Sequence, residues 1–585
     1  MFGAHRIFLG SFGAGRALVA AALVTAAVCG CGGGSHPSAS ASGASGNSAA
    51  GSESDDGGLV LVTAPSPGSS GASAEASDAS LNGSLDASPA PEADTFVCDP
   101  TQEPRDAACI INDAYGVFVA SPAALEGGLG GSDAAGTGTM AQPFATVGKA
   151  LQNLNGKSRV YVCAGVYPEA VSIDAAHAAS LYGGLTCTPG SGGLTWQYEV
   201  GAVAEVRPPA ADHAALTISG VAGPLAVEDM GFEAPMAQGQ DPSGAGLSSI
   251  AAWVSNSTVS FSRVVLTAGD AADGADGATQ DNYLPSAPTA PPPVNSNDAN
   301  GQTCPAGATS PPADGTTGGA GALGAALGEN GSSYPPVVGI PPRDGLGGLG
   351  DQGDYGAPGD DGADGFVRSP GSASATLGTL SDAAWMPASG GDGLAGSPGQ
   401  GGGGGGRILV PNSTTVYDFG GAGGMGGCGG GGGGGGHGGG ASAALFSVNS
   451  TVTLATCQLV SNQAGDGGAG GAGQPGQAGS VGYQVLYSGS GGMGGNGAGG
   501  AGGGGGAGGL SAGIAYRGSE PARDATTLIS LGHGTGGGAA GMGGPAGIGG
   551  TNTSGVAPSA SAGAAGLSGA YFVVDDLALD DVDAP

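Results

Sequence analysis

Four pieces between residues 116 and 187 decide the fold: GVFVASP (116–122), GSDAAGTGTMAQPFATVGKAL (131–151), RVYVCAGVYPEAVSI (159–173) and ASLYGGLTC (179–187). Each apolar run is only a few residues long and is closed by Gly, Pro, Asp or Ser, which suits short strands stacked in coils better than long hairpins. A second signal lies further on. Residues 251–261 (AAWVSNSTVSF) return as 444–454 (ALFSVNSTVTL), each copy followed by an apolar strand and an Asp/Gly-rich loop, so the same coil is made twice. At roughly 20 to 30 residues per coil, residues 159–277 supply several coils and the tail a few more.

Pro143-Phe144-Ala145-Thr146-Val147 before Lys149-Ala150-Leu151, then Tyr161-Val162-Cys163-Ala164-Gly165-Val166-Tyr167 with Glu169, then Leu181-Tyr182-Gly183-Gly184, resemble the opening of secreted right-handed parallel β-helices of the pectin-lyase-like type. The resemblance covers about a third of the chain and implies an all-β solenoid, not a reaction.

Export is written at the start of the chain. Arg6 and Arg16 precede an apolar stretch, residues 17–30, too short to span a bilayer, and Val28-Cys29-Gly30-Cys31 resembles a lipobox. Residues 1–31 are therefore read as a lipoprotein signal peptide with the lipid on Cys31, which places the protein at the outer membrane or cell surface of a bacterium. Residues 32–95 are Ser, Ala, Gly and Pro with scattered acids, and are expected to form a disordered tether.

Composition bounds the rest. Glycine accounts for 131 of 585 residues and aromatics for 5%, so an ordinary core cannot run the length of the chain; stacked coils need only a narrow apolar column. Residues 1–31 hold two of the 13 basic residues and no acid, leaving 11 basic against 47 acidic residues beyond them. Nucleic acid is excluded as a partner by that balance, because its binding runs on clustered Lys and Arg. Beyond the lipid-anchored membrane, the partners expected are surface polysaccharide or extracellular matrix.

Residues 96–277 are read as the N-terminal part of the β-helix, 278–443 as a Pro/Gly-rich insertion at a coil corner, and 444–585 as C-terminal coils carrying glycine-rich arrays. The arrays resemble in composition the glycine-rich repeats of PGRS-type surface proteins. Two outcomes stand open: flexible loops, or polyproline-II-like polyglycine strands packed beside the β-helix. GDQGDYGAPGDDGADG (350–365) keeps glycine at every third position, as collagen does, but is too short and isolated to be read as a triple helix.

Seven cysteines follow the signal region. Cys98 and Cys109 bracket a short loop where the tether meets the first coil, and Cys163 and Cys187 end two adjacent candidate strands, so both pairs are read as disulfides. Cys304, Cys428 and Cys457 remain, an odd number that implies a free thiol or an intermolecular bridge.

No catalytic constellation is read from the sequence, and no cofactor. The resemblance directs attention to Asp270, Asp273 and Asp276 with Arg263, because pectin-lyase-like enzymes use Asp-held Ca²⁺ and a basic residue that takes a sugar proton; a solvated turn is the plainer reading of GDAADGADG. Gly532-His533-Gly534 and Asp575-Asp576 resemble polygalacturonase signatures, but in reversed order and without their partners. Trp253 and Phe261 are read as filling the coil interior, Tyr167, Tyr182 and Trp196 as packing residues, and Asn256 and Asn449 as stacked inward at a corner. The function expected is a structural, adhesive or display scaffold; the second reading is a polysaccharide-binding or polysaccharide-cleaving protein. Exposed aromatics or an acidic cleft would favour the second, and a face covered by glycine loops the first.

Overall fold

A computed structural model describes residues 98–122, 130–190, 193–211, 213–279, 301, 304, 329, 357–407, 419–486, 488–532, 538–539, 542, 559–575 and 578–581. The signal region with Cys31, the tether and His533 lie outside these.

Short apolar runs become strands of three parallel sheets. The first holds Val117–Val119, Arg159–Cys163, Ser180–Gly190, Pro224–Glu228, Thr258–Ser262, Thr451–Ala455 and Ala522–Arg523. The second holds Gly165–Tyr167, Ala204–Val206, Met230–Glu233, Val265–Thr267, Gln458–Ser461 and Leu528–Leu531. In the third are Val171–Asp174, Leu216–Ser219, Ser249–Ser255, Ser442–Val448, Leu510–Arg517 and Leu567–Asp575, closed by the antiparallel strand Ala578–Asp581. From Arg159 onward the chain visits first, second and third sheet in rotation, broken where Gly193–Tyr198 folds back antiparallel on Ser180–Gly190 as an eighth strand of the first sheet, a nearly all-β order compatible with a β-helix solenoid. Helix is almost absent: Val147–Leu151 is the one α-helix among the described residues, capped by Thr146 and by Glu169, whose carboxylate accepts from Val147 N (2.7 Å) and Gly148 N (2.9 Å).

Alternation sets the core. Val171–Asp174 and Thr451–Ala455 bury every second residue, and the inward ones join a column running from Val117 through Ile173, Leu216, Val254 and Leu445 to Ile514. The internal repeat stacks on itself: Ala252 pairs with Leu445 and Val259 with Val452, both 193 residues apart, the offset of the two copies.

Two inward assignments are corrected. Phe261 lies in the column, but Trp253 points to the opposite face of the third sheet, where Phe446 and Trp385 cover it, because strand alternation puts its neighbours Ala252 and Val254 inside. Asn256 and Asn449 (φ of 49° in each) make the left-handed turn from third to first sheet with their side chains outward; Ser257 and Ser450 stack inside instead, Ser257 N donating to Ser450 Oγ at 3.1 Å. Tyr167, Tyr182 and Trp196 are buried.

Corner lengths decide where the glycine goes. Left-handed single residues turn the chain from first to second sheet at Asp229, Arg263 and Thr456. The long connections all leave between second and third sheet: residues 234–248, 268–441, 462–509 and 532–566. Stacking of the coils therefore delivers the described glycine arrays to one side of the solenoid.

Disulfides join Cys98 to Cys109, Cys163 to Cys187 and Cys304 to Cys428. Cys457 is free and buried in the core column, and burial pushes its thiol up.

Candidate functional site

Glycine arrays on one side of the solenoid form a bundle of extended strands bonded at every third residue. Gly421, Gly424, Gly427, Gly430, Gly433, Gly436 and Gly439 donate in parallel register to the carbonyls of Gly489, Gly492, Gly495, Ala498, Ala501, Gly504 and Ala507, at 2.8 to 2.9 Å. Gly491, Gly494, Gly497, Gly500 and Gly503 donate in antiparallel register to Tyr483, Ser480, Gln477, Gln474 and Gly471. A three-residue period in both directions is that of polyproline II, which makes no hydrogen bonds of its own and so leaves every backbone group for a neighbour. The packed-strand outcome is the one observed.

The longer segments taking part are 269–278, 357–374, 388–406, 420–441, 462–483 and 489–509, joined by Gly538, Ala539, Met542, Ser561, Ala564 and Gly566. Segments 420–441 and 489–509 touch neighbours on several sides and are nearly all glycine on the faces that pack most closely; a Cβ on Gly497 would stand under 3.0 Å from Cys428 O, Cys428 C and Gly427 O. Segment 357–374 lies at the periphery, and the Cβ positions of Gly359, Gly362, Gly365 and Gly371 are filled by neighbouring backbone. One crowded face needs glycine only every third residue, which accounts for the spacing of Gly359, Gly362 and Gly365, the described part of the collagen-like stretch, without a triple helix.

Polar side chains complete the lattice. In parallel pairs an Asp and the residue after it grip both backbone groups of one neighbour: Asp273 Oδ1 accepts from Asp466 N (2.7 Å) while Gly274 N donates to Asp466 O (2.8 Å). Asp270-Ala271 grips Gln463 in the same way, Asp276-Gly277 grips Ala469, Asp361-Gly362 Met493, Asp364-Gly365 Asn496, and Asp466-Gly467 Ala539. Gln and Ser do this in antiparallel pairs, Gln474 on Gly431, Gln477 on Cys428 and Ser480 on Met425. Gln474, Gln477 and Ser480 are buried. Their spacing of three in the sequence was the available signal, and it was not read.

Asp270, Asp273 and Asp276 are thus rungs, not a Ca²⁺ cradle. Three residues of polyproline II rise about 9 Å, so these carboxylates cannot converge on one ion with ligand distances near 2.4 Å. Among the described residues, no group of three His, Cys, Asp or Glu side chains could hold a metal.

Arg263 is not placed as a base. Its Nε and Nη2 hold both oxygens of Asp229 (2.7 and 2.9 Å), Nη2 also reaches Glu103 (3.1 Å) and Glu228 (3.2 Å), and Nη1 donates to Ser262 Oγ (2.7 Å). Hydrogen bonding to Asp229 keeps the guanidinium charged more firmly than usual, so it cannot take a proton.

A cavity of about 530 Å³ lies on the outer face of the third sheet, roofed by the hairpin of Gly378–Leu380 and Trp385–Pro387. Trp253 and Trp385 line it but are buried (4% and 7% exposed), too little to offer a stacking platform. Its carboxylates are engaged: Asp382 accepts from Asn256, Asn449 and Arg517, and Asp241 from Ser243 and Ala245. Cys428, in the middle of the bundle, is bonded to Cys304, which ties two distant points of the Pro/Gly-rich insertion together.

No protein-family model, curated protein or solved structure matches this chain.

Proposed function

We propose that this chain is a non-catalytic surface scaffold: a right-handed parallel β-helix carrying a polyglycine bundle, held at a bacterial surface by lipid on Cys31 with residues 32–95 as tether, in a display or adhesive role. The observation that carries this reading is the bundle. Its carboxylates, amides and hydroxyls accept from its own backbone, and that use removes them from chemistry. The buried state of Trp196, Trp253 and Trp385 supports a covered face over a sugar platform, and weighs against the polysaccharide-active reading.

The test has two arms. Purified protein is screened on a polysaccharide panel with and without Ca²⁺, following lyase absorbance and reducing ends, and no turnover is expected. Cells lacking the chain, or carrying it with the bundle disrupted at Gly497, are compared for attachment to surfaces and matrix. Turnover abolished by Asp273→Ala or Arg263→Ala, or attachment indifferent to both changes, would overturn the proposal.

A further inference from the structure

Three carboxylates and one guanidinium from three separate places in the chain meet beside the first sheet. Glu103 belongs to the loop closed by Cys98–Cys109, Glu228 and Asp229 to the turn of one coil, and Arg263 to the turn of the next. The Cys98–Cys109 loop caps the outer face of the first sheet, where Ile110 and Ile111 pack with Phe118, Tyr161 and Trp196. Two arginines grasp it. Arg159, stacked on Tyr182, donates to the carbonyls of Pro100 and Gln102 at one end, and Arg263 holds Glu103 at the other.

Charge at the Arg263 end does not balance. Asp229 takes both main arms of the guanidinium, leaving Glu103 and Glu228 to share one nitrogen, and Glu228 is buried. Two ionised carboxylates so placed repel, whereas one protonated carboxyl donates to the other. The remaining charged and titratable groups facing the cluster are Arg105 on the cap, Tyr198, whose hydroxyl lies 3.3 Å from Asp229 Oδ1, and Tyr182 and Arg159 on the sheet.

We infer that this cluster is a proton-dependent latch: a proton on Glu228 bridges it to Glu103 and holds the cap loop down, and loss of that proton drives the two carboxylates apart and frees residues 98–111. This device goes beyond the scaffold reading and stands or falls without it. Burial, with Glu103 adding to it, pushes Glu228 up to about 8, so the latch works just above neutrality.

The experiment is hydrogen exchange on the full chain between pH 6 and 9, read as protection factors for residues 99–111 with the core strand Ser442–Val448 as internal reference. By linkage the opening constant rises up to tenfold per pH unit between pH 6 and about 8 and levels off above, so cap protection is expected to fall at least about tenfold across the range while the reference holds. Glu228→Gln, a permanent donor to Glu103, is expected to keep the cap protected throughout, and Glu103→Gln, which removes the repulsion from the other side, to do the same should the first variant fold poorly. Cap protection unchanged from pH 6 to 9, or lost equally in both variants, would overturn the latch.

Discussion

Alanine at Gly497 is expected to break the bundle. Gly497 lies on a central strand, with the backbone of Cys428 directly against its Cα, and a Cβ there would come under 3.0 Å from three backbone atoms. The strand 420–441 must withdraw by about 1 Å or more before carbon–oxygen contact becomes ordinary. That strand is bonded on several sides, Gly427 N to Gly495 O and Gln477 N to Cys428 O at 2.8 Å and Cys428 N to Gln477 Oε1 at 3.0 Å, while Gly497 itself donates to Gln477 O at 2.8 Å. Losing two or three of these in a buried lattice costs about 1 to 3 kcal/mol each, or about 3 to 6 kcal/mol together. The stiffening of the unfolded chain by alanine offsets only about 0.4 to 1 kcal/mol. Gly223 is the control, because nothing lies within 4 Å of its Cβ position and its φ is not positive, so Gly223→Ala is expected to be neutral or slightly stabilising. Calorimetry of the two variants, with hydrogen exchange across 420–441, checks this: Gly497→Ala should melt at least about 4 °C below wild type, a net loss of about 2 kcal/mol or more at roughly 2 °C per kcal/mol. Equal melting temperatures for the two variants would refute the view that contact between backbones, rather than loop freedom, selects glycine in the arrays.

Removing a rung should be milder: Asp276→Ala leaves Ala469 N without its acceptor and is expected to cost about 1 to 3 kcal/mol, with faster exchange at Ala469, whereas adding Ca²⁺ or a chelator to wild type should leave the melting temperature unchanged. Breaking the Cys304–Cys428 bond, which closes a separation of 124 residues, is expected to lower stability by about 5 kcal/mol on loop-closure entropy, measured by denaturant unfolding of the double serine variant. Glu228 is raised in the folded state, so the stability it contributes is complete below its ordinary value near 4.5 and is lost as pH rises through about 8; denaturant midpoints should decline over that interval in wild type and stay level in Glu228→Gln.

Strand periodicity was legible because side chains alternate between the two faces of each short run, even where both faces are buried as in Ser442–Val448, and the twofold occurrence of one coil announced its own register of 193 residues. The Cys98–Cys109 and Cys163–Cys187 bridges were legible for the same local reason, closeness along the chain or along adjacent strands. Arg263 and the three aspartates were another matter. Each looked available for chemistry when read with its own neighbours, and each is engaged by a residue far away in sequence, Glu103 for Arg263 and residues 463, 466 and 469 for the aspartates.

Composition and periodicity by themselves determined the stacked coils, the sparse core and the demand of each glycine array for partners outside itself, since polyproline II satisfies none of its own backbone groups. Tertiary structure alone decided which partners those are. By sending every long connection out at one corner, the solenoid sets the glycine strands side by side, and only then do Asp-Gly, Gln and Ser find the backbone groups they hold; the hydrogen-bond partner that Trp253 and Asn256 meet on the outer face likewise comes from a hairpin more than 120 residues away in sequence.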